Sequence, residues 1–255
     1  MNVPTVAGRL TREGGLGLLR QAAALLFIIA LPVALITTNV RIAVNEPRLY
    51  RYAMDHYDGP ETTGIERAEL LRGSRELRDY FNNDEDEIFV RVEKDGEPIA
   101  LFNPREVSHL RDVKTLFQTS FQAQEGAVLF VLAYVVLVFL WAREGSLRAL
   151  ARQLLLSGLL GLAVIGGVGA FAVAGFDQSF EQFHLIAFDN DLWRLDPDRD
   201  RLIQMFPEAF WRDVSLWIGI ASLVELGVLA VGATVYLGLT RREAVPFGLA
   251  TGAEA

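Results

Sequence analysis

Four long apolar blocks constrain this 255-residue chain more than any other feature. They run over about residues 18–38, 126–142, 154–175 and 214–239. A bilayer-spanning helix needs ~20 mostly apolar residues, with ~17 as the lower bound. Backbone polar groups in lipid must be satisfied within the segment, which favours helices here. The pattern therefore predicts a mainly α integral membrane protein with four transmembrane helices. Residues 1–17 are then a leader, 143–153 a short connection and 240–255 a tail. Residues 39–125 and 176–213 are long polar loops. A cleaved signal peptide is the competing reading of the first block, but no small-x-small site follows its apolar core.

Pro32 is expected to kink the first span, which neighbouring helices can accommodate. The third span is rich in glycine, and Gly166 with Ala170 has the small-xxx-small spacing of close helix packing. Trp141, Trp211 and Trp217 lie near block ends, where interface anchors sit. Basic residues fix the orientation: Arg9, Arg12 and Arg20 before or at the first span, Arg143, Arg148 and Arg152 in the short connection, and Arg241 and Arg242 in the tail. By the positive-inside rule these segments, and so both termini, are cytoplasmic. Both long loops are then extracytoplasmic. They are acidic: 12 Lys/Arg against 18 Asp/Glu over residues 39–125, and 4 against 9 over 176–213.

The first long loop reads as a folded α+β unit. Residues 47–56 and 64–81 have helical character, the second with an imperfect apolar stripe including Ile65, Leu70 and Leu77. Residues 87–92 alternate, Lys94-Asp95-Gly96 turns, and residues 98–102 return, which is a β-hairpin signal. Asn103-Pro104-Arg105-Glu106 starts a helix, with Asn as N-cap, Pro at the first position and Glu at the third. That helix carries His109 and is expected to run on into the second span. The second loop is long, aromatic and turn-rich, far more than a connection needs.

Several chemistries are excluded or unsupported. The chain has no cysteine, hence no disulfide, no thiolate nucleophile and no cysteine metal site. Its formal charge of −8 argues against nucleic acid as a partner. There is no Gly-x-Ser-x-Gly elbow and no His-Glu-x-x-His motif, and three scattered histidines give no metal spacing. Asp196-x-Asp198-x-Asp200 fails as a calcium loop, because Arg201 replaces the turn glycine and Pro207 the bidentate glutamate. No cofactor is expected.

Histidines and carboxylates remain. Asp112, three residues after His109, shares its helix face and is placed to orient or charge-stabilise the imidazole. Read as a helix, residues 176–188 put Phe176, Phe180, Phe183, His184 and Ala187 on one face. That face would meet the membrane interface or the first loop. Taken singly, each histidine reads as structural. Taken together, two histidines near the outer membrane surface could share one proton-transfer task. His56 reads as structural in a charged helix end. Glu225, in the middle of the fourth span, is either functional or hydrogen-bonded to a neighbouring helix.

Two segments carry a family likeness. The first is His109-Leu-Arg-Asp112-Val113-Lys114. The second comprises Phe183-His184-Leu-Ile-Ala-Phe188, Trp193-Arg-Leu-Asp196-Pro197 and Leu202-Ile203-Gln-Met-Phe-Pro207-Glu208-Ala-Phe210-Trp211. With the four-span layout, they resemble the lipoprotein intramolecular transacylase family of bacterial membrane proteins. The resemblance covers some fifty residues closely. It implies an acyltransferase of the plasma membrane whose partners are diacylglyceryl lipoproteins and membrane lipid. An acyl chain would move from the second glycerol position to the lipoprotein's own N-terminal cysteine amine. The matching positions imply His109 and His184 as the catalytic pair. Asp112 would then orient His109, with Lys114 as an electrostatic partner, while Phe180, Phe183, Phe188 and Trp193 would hold acyl chains or substrate. Two rivals stand beside this reading: a non-enzymatic scaffold or sensor with a ligand-binding outer domain, and an acyltransferase acting on another lipid. The scaffold expects the two histidines apart, or buried and separately hydrogen-bonded; the enzymes expect both to line one cavity open to the outer surface of the bilayer.

Overall fold

A computed structural model of the chain describes residues 6–140 and 144–240. Trp141, Arg143, Arg241 and Arg242 lie outside the described residues, as do the side chains of Arg9 and Arg12. The elements in order are α1 (Val6–Asn45), α2 (Pro47–His56), α3 (Gly59–Thr63), α4 (Arg67–Phe81), β1 (Arg91–Lys94), β2 (Glu97–Ala100), α5 (Pro104–Leu140), α6 (Glu144–Ala174), α7 (Phe176–Ala187), α8 (Arg201–Met205) and α9 (Glu208–Leu239). Four helical stretches are long and apolar enough to cross a membrane: Gly17–Asn45, Pro104–Leu140, Gly145–Ala170 and Glu208–Leu239. The protein is therefore a mainly α, multi-pass integral membrane protein with a small antiparallel hairpin.

The apolar helices bury little within the chain and turn Leu129, Leu140, Leu159, Val168, Val228 and Leu239 outward. In lipid this costs nothing, since the hydrophobic effect does not drive helices together there. Association instead uses close contact and interhelical hydrogen bonds. α1 is the shared partner, packing against α5, α6 and α9, while α6 packs on α9. Asn39 of α1 donates to Ser222 Oγ and to Glu225 Oε2 of α9, each at 3.0 Å. Glu225 thus serves as an interhelical acceptor. Tyr134 donates to Gln153 at 3.0 Å, linking α5 to α6.

The glycines that allow close approach differ from those the spacing suggested. A Cβ added at Gly166, Gly167 or Gly169 would meet nothing within 4 Å. At Gly158 it would lie 3.4 Å from Ala230 Cβ, and at Gly161 it would strike the Leu226 side chain and lie 3.3 Å from Pro32 Cβ. The motif identifies glycines on a helix, but not which face meets a neighbour. Gly161→Ala is expected to destabilise the fold by about 1–3 kcal/mol through overpacking. Gly166→Ala should stay within ~0.5 kcal/mol of the parent. Thermal unfolding in detergent checks this; equal melting temperatures for the two variants would refute it.

On one side of the bundle the two long loops build a single cap. Its core combines Leu49, Ile65, Leu70, Tyr80, Val92 and Leu101 from the first loop with Leu202, Met205 and Phe206 from the second. The hairpin pairs Arg91 with Ala100 and Lys94 with Glu97. Asp95 and Gly96 have φ of 54° and 80°, the two positive values that a two-residue type I′ turn requires. The strands are shorter than the sequence expectation of 87–92 and 98–102. The expected helix over 64–81 also starts late: Gly64 adopts φ 64° and bonds its N–H to Pro60 O, ending the short α3, and α4 begins at Arg67. Residues 144–153, expected as a connecting loop, form the first turns of α6 instead.

Candidate active site

α5 begins where the sequence signals it. Asn103 Oδ1 accepts from the N–H of Arg105 and of Glu106, at 2.9 and 3.0 Å, and Glu106 Oε2 accepts from Asn103 N at 2.7 Å. This reciprocal capping box fixes the first turn, and His109 follows one turn later. Glu106 does more than the motif implies. Its side chain is fully buried and its other oxygen accepts from Leu202 N at 2.6 Å, capping α8 in the second loop. Burial holds its carboxyl above the usual carboxylate range, against the pull of the two backbone N–H groups.

His184 arrives on α7, which starts immediately after α6 ends at Ala174. α7 buries His184 and leaves Phe183, Leu185 and Ile186 exposed, an apolar face suited to a membrane interface. The His109 and His184 ring centroids lie 6.1 Å apart, and each residue is only 6% exposed. Nδ1 of His184 contacts Phe180 O at 2.7 Å. A carbonyl can only accept, so Nδ1 carries the proton and Nε2 keeps its lone pair. Nδ1 of His109 is buried with no hydrogen-bond partner. Burial pushes His184 below its ordinary pKa, the Phe180 carbonyl partly opposing this. Burial and the neighbouring His184 push His109 down to about 4, with Asp112 opposing. Two neutral imidazoles thus face each other in a desolvated setting.

Aromatic rings line the pair. From His184, centroid distances are 4.3 Å to Phe180, 5.2 Å to Phe183 and 5.6 Å to Phe188, and Phe188 lies 5.3 Å from His109. Trp193 stacks on His184 at 4.9 Å and 30°. All four aromatic candidates therefore surround the histidines. Asp112 is nearby, but its hydrogen bond goes elsewhere: Oδ2 accepts from Asn190 Nδ2 at 2.9 Å. It acts on His109 through its charge and anchors the turn that carries Trp193. Lys114 is not brought to the pair. It donates to Asn83 Oδ1 at 2.8 Å and Glu85 O at 2.6 Å, and lies over the Tyr80 ring. Five residues past His109, it sits roughly 140° round the helix. His56 stacks on Tyr52, remote from α5 and α7 in the contacts it makes.

Two further residues, Arg105 and Asn190, tie the site together. Arg105 donates to Asp191 O at 2.7 Å, tying the start of α5 to the turn over the site. Asn190 Oδ1 accepts from Leu192 N at 2.9 Å, an Asx turn, while its amide holds Asp112. Asn190 is foreshadowed by its turn-forming residue type; Arg105 has no local signal. Among the described residues, no group of three or more His, Asp or Glu side chains is placed to hold a metal ion.

Fold and site together define a four-span membrane protein with a buried histidine pair in an aromatic cage beneath its cap. Residues 25–211 match the profile of the family described as lipoprotein intramolecular transacylase Lit, and the chain belongs to that family. It is accordingly an acyltransferase, and the family's substrates are lipoproteins. An uncharacterised protein of Aquifex aeolicus is 26% identical over 217 residues, 84% of this chain and 93% of that one. The in meso structure of the integral membrane transacylase Lit of Bacillus cereus has a similar fold, with a TM-score of 0.69 at 18% identity over 89% of this chain and all of that one. A structure of the same protein with one histidine replaced by arginine gives 0.68 over 93% of this chain and all of that one, again at 18% identity.

Proposed function

We propose that the protein moves an acyl chain within a diacylglyceryl lipoprotein, from the second glycerol oxygen to the amine of the N-terminal cysteine, leaving a lyso-form lipoprotein. The observation that carries this is the His109–His184 pair, 6.1 Å apart and shielded from water by aromatic rings. The scaffold reading accounts for neither the closeness of the two rings nor the unpartnered Nδ1 of His109.

In this reading His184 Nε2 takes the amine proton as the nitrogen attacks the ester carbonyl. The C–N bond forms, the tetrahedral intermediate collapses, and the C–O bond to glycerol breaks. His184 passes that proton to His109, which gives one to the glycerol oxygen, so both imidazoles end neutral and the proton balance closes within the pair. No cofactor is required for this ester-to-amide exchange. Phe180, Phe183, Phe188 and Trp193 seat acyl chain or substrate, and the exposed apolar face of α7 admits it from the bilayer. Basic residues Arg20, Arg148 and Arg152 favour cytoplasmic termini and a cap and site at the outer leaflet.

The test is mass spectrometry of a reporter lipoprotein's N-terminal lipopeptide. The host makes diacylglyceryl lipoproteins and lacks its own N-acylating enzyme. Expression of the protein is expected to convert the reporter to N-acyl, S-monoacylglyceryl peptide, and an empty vector should not. Absence of that product with well-expressed protein would overturn the proposal and favour another lipid as acyl acceptor.

A further inference from the structure

We propose that the indole N–H of Trp193 is the hydrogen-bond donor that stabilises the oxyanion formed at the ester carbonyl during transfer. This rests on the acyl-transfer reading above and adds a group that reading leaves open.

Trp193 Nε1 is buried and has no hydrogen-bond partner. A buried indole N–H normally finds an acceptor, and leaving one without is unfavourable by about 1–3 kcal/mol. Such a group on a ring packed against His184 points to an acceptor supplied by something else. The ring is also in the right place. It stacks on His184, whose Nε2 keeps its lone pair, with ring centroids 4.9 Å apart and planes at 30°. A carbonyl attacked beside His184 is therefore close to this neighbouring ring.

The Arg194 guanidinium also lies over the Trp193 ring, with Cζ 4.5 Å from the ring centroid. Glu181 and Asp191 hold that cation, at 3.3 and 3.2 Å. A cation over an indole face draws electron density from the ring, which strengthens the N–H as a donor. The turn is set before substrate arrives: Asn190 is fixed to Asp112, Arg105 to Asp191 O, and Leu195 N to Trp193 O. Donors that need no reorganisation stabilise an oxyanion most effectively.

Other candidates are committed. Lys114 is bound to Asn83 and Glu85. His109 is taken up by proton transfer in the proposed reaction, which leaves the indole N–H for the oxyanion. During attack the amine nitrogen bonds to the carbonyl carbon and the C=O π pair moves to oxygen. The indole N–H binds that oxygen until the C=O re-forms and the glycerol oxygen leaves with a proton from the histidine pair.

The experiment follows transfer kinetics on a diacylglyceryl lipopeptide with full-length protein in detergent. Trp193→Phe keeps a stacking ring and removes the N–H. Its kcat is expected to fall about 10²-fold, in line with loss of one oxyanion donor, while KM stays within about two-fold, since ground-state binding is retained. Benzothienylalanine at position 193, which replaces N–H with sulfur at nearly unchanged shape, should give the same loss and covers the case in which Trp193→Phe folds poorly. Wild-type kcat in either well-folded variant would overturn the proposal, as would a loss seen only in KM. Wild type and His184→Ala run alongside. If wild type makes no N-acyl product, the acyl-transfer reading itself fails; if it does and the position-193 variants match it, only this inference fails.

Discussion

His184→Ala is expected to lower the rate of acyl transfer by roughly 10²–10⁴-fold, the usual contribution of a general base. The argument starts from one hydrogen bond. Nδ1–H is spent on Phe180 O at 2.7 Å, which fixes the tautomer and aims the Nε2 lone pair away from α7's own backbone. The ring is held in that orientation by Phe180 and Trp193. Alanine removes the proton acceptor and the stack together, while α7 keeps its helix-forming residue. His109→Ala should also reduce transfer strongly, because in the proposed reaction His109 relays the proton to the leaving oxygen. The pH profile adds a check. An α-amine titrates near pH 8 and an ordinary histidine near pH 6.5. Burial lowers both histidines, His109 to about 4, so each stays neutral as pH falls past 6.5. The profile should therefore fall with the amine first and steepen only below pH 6.5. A second break at or above pH 6.5 would show that the base is not a desolvated histidine. Full activity in His184→Ala would remove it from the chemistry altogether.

What the sequence reveals of this molecule is whatever is local. The four spans follow from runs of apolar residues, because lipid imposes a length on each helix independently. The start of α5 follows from Asn103, Pro104 and Glu106, whose bonds all close within one turn. The hairpin turn follows from Asp95-Gly96, since few residue pairs accept two positive φ values. The break at Gly64 is hidden by an apolar stripe that continues across it, and the strands are short because residues 87–90 lie outside the ladder. Helix contacts in the membrane are hidden for another reason: Gly158, Gly161 and Gly166 look alike until the neighbouring Leu226, Ala230 and Pro32 are in place.

The site divides along the same line. That His109 and His184 could share a task is legible from their place near the outer membrane surface, but their pairing is sharpened only by family likeness, because no periodicity relates residues on α5 and α7. The aromatic residues around them come from the same short segment as His184 and are legible with it. Asp112, three residues on, shares the helix face of His109 by spacing, whereas Lys114, five residues on, enters only through the family likeness. Helical phase separates them, sending Asp112 to Asn190 and Lys114 to Asn83 and Glu85. Arg105 and Asn190 matter through partners some eighty residues away, which no local pattern encodes.

Glu106→Ala is expected to produce the largest loss of stability among single substitutions in the cap, about 3–5 kcal/mol. The carboxylate is fully buried and accepts two short bonds, from Asn103 N at 2.7 Å and Leu202 N at 2.6 Å. Each donor belongs to a different long loop. Removing the side chain leaves both N–H groups without that partner in a dry interior, at roughly 1–3 kcal/mol each, and opens a cavity besides. Glu106→Gln retains volume and one good acceptor but introduces an amide N–H₂ where only donors face it, so an intermediate loss is expected. The effect should not stop at stability. Glu106 lies one turn before His109, and the second loop it clasps carries Trp193 and the turn bonded to Arg105 and Asp112. Loosening that clasp lets the two halves of the site move relative to each other, and kcat falls steeply with small errors of placement. Thermal unfolding in detergent and transfer kinetics below the melting temperature measure the two consequences separately. A melting temperature unchanged in Glu106→Ala would show that the loops are joined by their apolar core alone. A lowered melting temperature with unchanged kcat would show that the clasp stabilises the cap without positioning the histidines.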